Sequence, residues 1–394
     1  MSAALEAREP QSPSTVAAAA CDTYDLAAVK AALREALAPL GSLGAFVQPG
    51  QTVLLKPNLL TPHPPERAVT THPSFVRGMI ELCEERGAAR IWVGDSPSGG
   101  HEESVLYRRT GMTEAVAGTR AELKSWVTRQ VPRACGEDVL PLPDWLSEVD
   151  AVVSLAKLKT HTLTVMTGAL KNVYGLVSGL AKTRFHTRYA SPAAMSGFLV
   201  RVHAALPPAL TVIDAVTVME RHGPSMGRPA HLGVVLAGTD AVALDAVGCK
   251  PFGIPPASVP MIRIAAEQGL GCMSPDGIRM VGSGVGRLTS ARLKPSLSAL
   301  LLRMPERLFG LGSGILQLRP GIHERFCETC GICVTTCPQG AIDSGGERPS
   351  IRQKDCIACF CCMESCPHRA IALQLHLGKQ IRIARRTRPG AHRS

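Results

Sequence analysis

The chain has 394 residues, of which 45% are hydrophobic and 19% are charged, and its formal net charge at pH 7 is +11. This length predicts two or three structural units, and the hydrophobic fraction excludes a wholly disordered chain. Fourteen cysteines stand beside only 3 Trp, 4 Tyr and 8 Phe, so the cysteines are the first feature to explain.

Residues 1–14 are rich in Pro, Ser and Glu and predict a flexible leader. They contain no apolar run behind a basic start, so we expect no signal peptide. The most apolar later stretch carries Arg303, Glu306 and Arg307 and cannot span a bilayer. We therefore expect a cytoplasmic protein in a reducing compartment, without a transmembrane segment.

From residue 15 to residue 285, short apolar runs alternate with helical patterns. Strands are predicted at 52–58, 90–96, 149–159, 209–216, 232–238 and 278–283. Helices are predicted from Pro73 and near 104–118, 162–174, 191–205, 239–250 and 258–268. This alternation predicts an α/β domain whose mostly parallel sheet is flanked by helices.

Polar residues follow the predicted strands, at the edge where ligands collect in open α/β sheets. Lys157, Lys159 and His161 alternate at one strand end and so share a face. Lys171 and Asn172 follow on a helical pattern, with Lys182 and His186 beyond a Gly-rich stretch. Cations beside Gly-rich turns suit a small anionic substrate, and Lys or His can act as general acid or base. The alternative is a solvated basic loop. The five candidate catalytic residues are Lys157, Lys159, His161, Lys171 and Asn172.

Asp95 and Asp214 also follow strands. They can orient these bases, hold a metal with His63, His72 or His101, or simply cap helices. The nearby "GDSPSGG" matches neither nucleotide-binding fingerprint, so no nucleotide cofactor is expected.

Nine cysteines fall within 40 residues, in "CETCGICVTTCP" (327–338) and "CIACFCCMESCP" (356–367). Each copy has the Cys-x-x-Cys-x-x-Cys-x-x-x-Cys-Pro spacing of a bacterial 4Fe-4S pair, in which the fourth cysteine of one run binds the other cluster. We therefore expect two 4Fe-4S clusters, which the paired quartets favour over structural zinc. The first takes Cys327, Cys330, Cys333 and Cys366, and the second takes Cys356, Cys359, Cys362 and Cys337.

Cys361 fits neither quartet. It is either a redox-active thiol or a small side chain packed beside a cluster, and packing is the more common role for such a cysteine. The five scattered cysteines are expected in cores. Residues 321–376 resemble bacterial two-cluster ferredoxins, which implies a small α+β ferredoxin-like module that transfers single electrons.

A linker is predicted at 286–320 and a basic tail at 377–394. The tail supplies six cations: Lys379, Arg382, Arg385, Arg386, Arg388 and Arg393. It can bind an acidic partner or anionic lipid, or serve only as a solubilising end. No aromatic residues interleave with its charge, so nucleic-acid binding is not expected.

Five stretches of the larger domain carry a second resemblance: "GQTVLLKPNLL" (50–60), "TTHPSFV" (70–76), "GAARIWVGDSPSGG" (87–100), "KLKTHTLTVMTGALKNVYGLVSG" (157–179) and "GTDAVALDAVGC" (238–249). In these stretches the chain is similar to the domain of unknown function 362 family, whose members often end in a two-cluster ferredoxin module. One departure places Arg221 and His222 before Gly223 in a loop that is usually Gly-rich.

Together these features predict an iron-sulfur oxidoreductase that passes electrons from a soluble donor or acceptor protein to an anion bound at the strand ends. The alternative is a non-catalytic electron carrier or redox-linked scaffold that docks a partner enzyme. The polar strand-end cluster separates the two hypotheses, because only an enzyme needs it.

Overall fold

The computed structural model describes residues 13–179, 181–297, 299 and 316–377. The predicted leader up to residue 12, part of the predicted linker and the basic tail from residue 378 lie outside this part of the chain. The domain boundaries therefore stay predictions. No helix among the described residues is long and apolar enough to cross a membrane.

The α/β domain contains eleven strands and ten helices among its described residues. The strands are β1 (Ser14–Ala20), β2 (Thr52–Pro57), β3 (Arg90–Val93), β4 (Ala121–Leu123), β5 (Gln130–Cys135), β6 (Asp138–Pro143), β7 (Ala151–His161), β8 (Val165–Thr167), β9 (Leu210–Glu220), β10 (Arg228–Gly238) and β11 (Ile278–Val281). The helices are α1 (Leu26–Leu37), α2 (Pro73–Glu85), α3 (Glu103–Arg109), α4 (Met112–Val116), α5 (Ala169–Asn172), α6 (Ala181–Arg188), α7 (Pro192–Ala205), α8 (Ala241–Cys249), α9 (Pro260–Glu267) and α10 (Val285–Ser290).

Nine of these strands form one mixed sheet, in the order β11-β1-β10-β9-β7-β2-β3-β4, with β8 paired to β7. The five pairs β1–β11, β9–β7, β7–β2, β2–β3 and β3–β4 are parallel. The three pairs β1–β10, β10–β9 and β7–β8 are antiparallel. The predicted fold class, a mostly parallel sheet flanked by helices, is confirmed.

Both faces of the sheet are buried, as a mostly parallel sheet requires. Alternate residues of β1 show this: Val16 and Ala18 belong to one core, and Ala17 and Ala19 belong to the other. Helices α7, α8 and α9 supply apolar side chains to the first core, whereas α1 and α2 supply the second.

The helix predicted over 162–174 is wrong for most of its length. After β7 the chain turns back at once, because the His161 Nδ1 atom accepts hydrogen bonds from Leu163 N (3.0 Å) and Thr164 N (3.3 Å). The returning segment pairs with β7 as the short strand β8, and helical structure begins only at Ala169, as α5 followed by a 3-10 turn at Val173–Leu176. Helical periodicity was overridden by a side chain that bonds to the backbone locally.

The carboxyl-terminal module has two small antiparallel sheets and two short helices. Its strands are β12 (Leu316–Ile322), β13 (Ile342–Asp343), β14 (Ser350–Ile351) and β15 (Ile371–Leu377), paired as β12–β15 and β13–β14. Its helices are α11 (Ile332–Thr336) and α12 (Cys361–Ser365).

The module packs against the carboxyl-end edge of the large sheet. Ser365 Oγ lies 3.0 Å from Ser98 Oγ, in the loop after β3. Ser225 Oγ donates to the Met363 carbonyl at 3.2 Å, and Met226 packs against the module core. Helix α12 therefore lies where the strand ends present their polar residues.

Gly175, in the turn after α5, allows this turn to approach the ends of β2 and β3 closely. A methyl group at this position would overlap the Asp95 carboxylate and the Lys56 ammonium group, which form a buried ion pair. By contrast, a methyl group on Gly197, inside α7, would meet open space.

We expect Gly175→Ala to lower the free energy of unfolding by about 3 kcal/mol or more, since it separates a buried ion pair. Gly197→Ala is the matched control and should be neutral or stabilising by up to about 1 kcal/mol, because Ala favours helix. Urea unfolding of both variants measures the difference. Equal midpoints would contradict the close approach.

Candidate functional site

A cavity of about 80 Å³ lies between the strand ends of the α/β domain and helix α12 of the module. This volume suits a small polyatomic ion or a few water molecules. Its charged and titratable lining includes Lys157, Lys159, Lys171, Lys182, His186 and Glu364.

The first buried ion pair beside the cavity joins the ends of β2 and β3. Lys56 Nζ lies 2.8 Å from Asp95 Oδ1, and both side chains are at most 4% exposed. Lys56 Nζ also donates to the Pro57 carbonyl at 2.7 Å and to Asn172 Oδ1 at 3.3 Å. Asn172 Nδ2 in turn donates to Ser154 Oγ at 2.9 Å. Asn172 therefore ties α5 to the strand ends.

The second buried ion pair joins β7 to β9. Lys157 Nζ lies 2.8 Å from Asp214 Oδ2 and donates to the Tyr24 hydroxyl at 2.9 Å. Asp214 also accepts from the Tyr24 hydroxyl (2.7 Å) and from His72 N (3.0 Å). The His72 ring stacks on Tyr24 at 3.6 Å. Burial lowers the pKa of Lys157, and the Asp214 charge opposes that shift.

Lys159 is buried and has no carboxylate partner within the described ranges of the chain. Its Nζ atom donates to Asn58 Oδ1 at 2.7 Å and to the Val69 carbonyl at 2.6 Å. Burial lowers the pKa of Lys159 well below its ordinary value, and the nearby Lys171 charge adds to the shift. Two neutral acceptors hold this ammonium group in place, but they supply no opposite charge.

His161, Lys171 and Glu364 form a contact between the two parts of the protein. Lys171 Nζ contacts His161 Nε2, which lies 3.1 Å from Glu364 Oε1 in α12. Burial and the Lys171 charge lower the pKa of His161 to about 4, so the ring is neutral at pH 7. Because Nδ1 accepts from the backbone, the neutral ring carries its proton on Nε2.

Helix α6 adds Lys182 and His186 to the lining. Lys182 Nζ donates to the Ser96 carbonyl. Burial lowers its pKa to about 7, and the charges of Lys56 and Lys171 contribute to that shift. Burial also lowers the pKa of His186 to about 4. Lys182 thus exchanges its proton near neutral pH.

All five candidate catalytic residues are brought together here. Lys157, Lys159, Lys171 and Asn172 line the cavity, and His161 contacts Lys171 directly. Asp95 and Asp214 pair with lysines, and no three His, Cys, Asp or Glu side chains in the described part of the chain are placed to hold a single metal ion.

Three residues of the site are not among the five candidates predicted from the sequence. Lys56 lies in the polar Lys-Pro-Asn end of β2, which was the available signal for it. Tyr24 lies far from the site in sequence, and Glu364 lies inside a cysteine run whose spacing indicates cluster ligands only.

The Arg221–His222 insertion does not fill the cavity. Both of these residues are exposed, whereas Gly223 and Pro224 are buried and Pro224 lines the cavity. The extra bulk therefore points toward solvent.

The eight cysteines of the two quartets surround two further cavities, each of about 20 Å³. One is lined by Cys327, Cys330, Cys333 and Cys366, and the other by Cys337, Cys356, Cys359 and Cys362.

Backbone N–H groups donate to three of these sulfurs: Ala341 to Cys337 (3.2 Å), Ala358 to Cys356 (3.4 Å) and Ala370 to Cys366 (3.3 Å). Such bonds stabilise the negative charge of cluster thiolates. Four thiols around one space, supported by N–H donors, fit an iron-sulfur cluster.

Cys361, at the start of α12, lines neither of the two cysteine cavities and lines the lysine cavity instead. It is 3% exposed, and its thiol is hydrogen-bonded to Cys359 of the second quartet. All fourteen cysteines are free thiols.

This fold and these cysteines define a class of protein: an α/β domain that carries a 4Fe-4S module over its strand ends. The chain belongs to the family described as domain of unknown function (DUF362), whose model matches residues 53–250. A 4Fe-4S dicluster domain model matches residues 319–367. Both resemblances seen in the sequence are thereby confirmed, and the chain is an iron-sulfur protein.

The thylakoid-associated protein sll1697 of Synechocystis sp. is 33% identical over 252 residues, which is 63% of this chain and 77% of that protein. The lactate racemase apoprotein from Thermoanaerobacterium thermosaccharolyticum resembles 62% of this chain with 13% identity and a TM-score of 0.39. The match spans 58% of the racemase chain.

We expect Asp214→Asn to destabilise the protein by about 3 kcal/mol at pH 7, because it leaves the Lys157 charge buried without a partner. The difference in the free energy of unfolding between the native protein and Asp214→Asn should become smaller as pH rises toward 10. A lysine whose folded pKa is depressed binds fewer protons folded than unfolded, so its contribution to stability rises with pH. Urea unfolding at pH 7, 8 and 9 measures this trend.

Glu148→Gln is the control, since its partner Arg90 is 51% exposed and such pairs contribute at most about 1 kcal/mol. If the loss of unfolding free energy in Asp214→Asn did not change with pH, the buried Lys157 charge would not be its cause.

Proposed function

We propose that this protein is an iron-sulfur oxidoreductase that reduces a small anionic substrate in the lysine cavity. The observation that carries the proposal is that α12, which holds the quartet cysteine Cys362, also closes the cavity with Cys361 and Glu364. An electron carrier has no need for a buried polar cavity beside its cysteine module. We further propose that the protein works in a reducing, cytoplasmic compartment, in keeping with its free thiols.

The charges around the cavity support an anionic ligand. Asp95 and Asp214 compensate Lys56 and Lys157. Glu364 faces Lys171 and is held ionised, with its pKa lowered to about 2, so Lys159 and Lys182 lack a carboxylate of their own among the described residues. A bound anion would supply the missing counter-charge.

The proposed cofactor is a pair of 4Fe-4S clusters, held by the two cysteine quartets. When bound, these clusters would supply electrons one at a time, received from an electron-donor protein. A substrate that takes up two electrons also needs two protons. Lys182 on α6, whose pKa is lowered to about 7, would donate the first proton. Lys171 on α5, whose pKa is also lowered by burial, would donate the second proton.

The protein residues have separable roles in this scheme. Lys159 and Lys171 bind and polarise the anion, and the neutral His161 lies against Lys171 and donates its Nε2 proton toward Glu364. Asn172 and the two buried ion pairs keep the lysines at the strand ends. Helix α12 excludes water from the side of the cavity that faces the module.

The cluster assignment can be tested by iron and sulfide analysis after anaerobic purification, with EPR of the dithionite-reduced protein. We expect about eight iron atoms per chain for the native protein and for Cys361→Ala, since Cys361 belongs to neither quartet. Cys362→Ala is the matched variant one residue away and should lose roughly half of the iron. Equal iron loss in both variants would refute the assignment.

The substrate site can be tested with Lys171→Met, which removes the charge but keeps an unbranched side chain. The dithionite-reduced protein is mixed with small anions recovered by mass spectrometry from the native protein, and cluster reoxidation is followed by absorbance. We expect reoxidation to slow by about 100-fold or more, as when an oxyanion-stabilising donor is removed.

Lys354→Met changes an exposed lysine of the module and should leave the rate unchanged. If Lys171→Met kept its iron and the full native rate, the cavity would not be the active site. The protein would then be better described as an electron carrier.

A further inference from the structure

A second group of cationic side chains lies where the module meets the α/β domain. The loop after β2 contributes His63 and Arg67, α3 and the loop before it contribute Arg109 and His101, and the module contributes Arg369. Burial lowers the pKa of His63 to about 4, and the charges of the other four groups add to that shift. The segments that carry these groups meet at one place, since Ser98 N donates to the Leu60 carbonyl at 2.9 Å and Ser98 Oγ lies 3.0 Å from Ser365 Oγ.

Three of these groups have a buried nitrogen that nothing in the described part of the chain satisfies. His63 Nε2, Arg67 Nε and Arg369 Nε are buried and lack a hydrogen-bond partner. His63 is only 4% exposed. Arg369 does bond elsewhere, since its Nη2 atom donates to the Met226 carbonyl at 3.3 Å.

Counter-charges are also missing from this group. Within the described residues, none of the ion pairs involves Arg67, Arg109 or Arg369, although most other buried or half-buried cations of the α/β domain face a carboxylate. Each buried donor left without an acceptor costs about 1–3 kcal/mol, and more when the donor is charged. Folded proteins tolerate such a group when a bound ligand supplies the acceptors.

We propose that His63, Arg67 and Arg369 form a binding site for an oxyanion, a phosphate or carboxylate group, at the seam between the two parts of the protein. Guanidinium groups match the paired oxygens of these anions, and the imidazole N–H group of His63 adds a single donor. The site is independent of the proposed reaction, because none of these three residues lines the lysine cavity.

The position of the site gives it a role in holding the module. Arg369 follows Cys366 closely in the module, and His101 bonds to the main chain of Ser365 at the end of α12. An anion shared between Arg369 and Arg67 would bind the loop after β2 to the module. Its presence would keep α12 closed over the cavity.

The test is calorimetric titration of the anaerobically purified holoprotein with inorganic phosphate and, in a parallel arm, with acetate, at constant ionic strength set by chloride. We expect saturable binding in one or both arms, and the tighter arm identifies the anion class. Arg369→Gln and Arg67→Gln should each weaken binding by about tenfold or more, as expected for loss of one charged hydrogen bond.

Two controls separate this site from other sources of binding. Arg263→Gln changes an exposed arginine that pairs with Glu267, and its affinity should equal that of the native protein. Lys171→Met disables the lysine cavity and should retain the seam site. Because Arg67 and Arg369 lie on different parts of the protein, misfolding of one variant leaves the other available.

Absence of saturable binding at millimolar phosphate and acetate would overturn the proposal. So would binding that Lys171→Met abolishes and Arg369→Gln leaves intact, since the anion would then occupy the lysine cavity. That second outcome would still support the proposed function, so the two proposals fail separately.

Discussion

The burial of ammonium groups at the strand ends is the constraint on which the rest of this structure depends. Removing a lysine charge from water costs several kcal/mol unless an opposite charge and further acceptors replace the solvent. Lys56 and Lys157 each meet that requirement with a carboxylate from a neighbouring strand, Asp95 and Asp214. Parallel strands make this arrangement available, because their carboxyl ends meet at one edge of the sheet. The tight turn at Gly175 and the Tyr24–His72 stack then pack around pairs that are already neutralised.

The module contributes directly to the lysine site, because one of its carboxylates lies among the cavity lysines that have no carboxylate partner in the described part of the α/β domain. Glu364 reaches from α12 to His161 and provides the negative charge nearest Lys171. The same short helix contains Cys361, which lines the lysine cavity, and the adjacent Cys362, which belongs to the second cysteine quartet. The geometry thus couples the electrostatics of the cavity to the cysteine module. This coupling is the physical basis for proposing an enzyme rather than a carrier.

Sequence patterns were most informative where a rigid spacing rule or a repeated period applies. The cysteine spacing predicted two quartets, and the structure arranges those same residues around two cavities. The alternation of apolar runs and helical patterns predicted the mostly parallel sheet, and Lys157, Lys159 and His161 share the site as their spacing suggested. Patterns were least informative where one side chain redirects the backbone. His161 accepts two backbone N–H groups, and the first half of the helix expected at 162–174 forms a hairpin with β7 instead.

The amino-acid sequence by itself determined the family, the cluster-type cysteines and the edge of the sheet that carries the chemistry. These properties depend on the spacing of the cysteines and on the periodicity of apolar residues, and both can be read directly from the sequence. Only the tertiary structure decided that Lys56 pairs with Asp95, that Glu364 crosses to His161 and that Cys361 faces the lysine cavity. Each of these contacts joins residues from separate segments, and the desolvation of charge that makes them necessary arises only when the fold buries them.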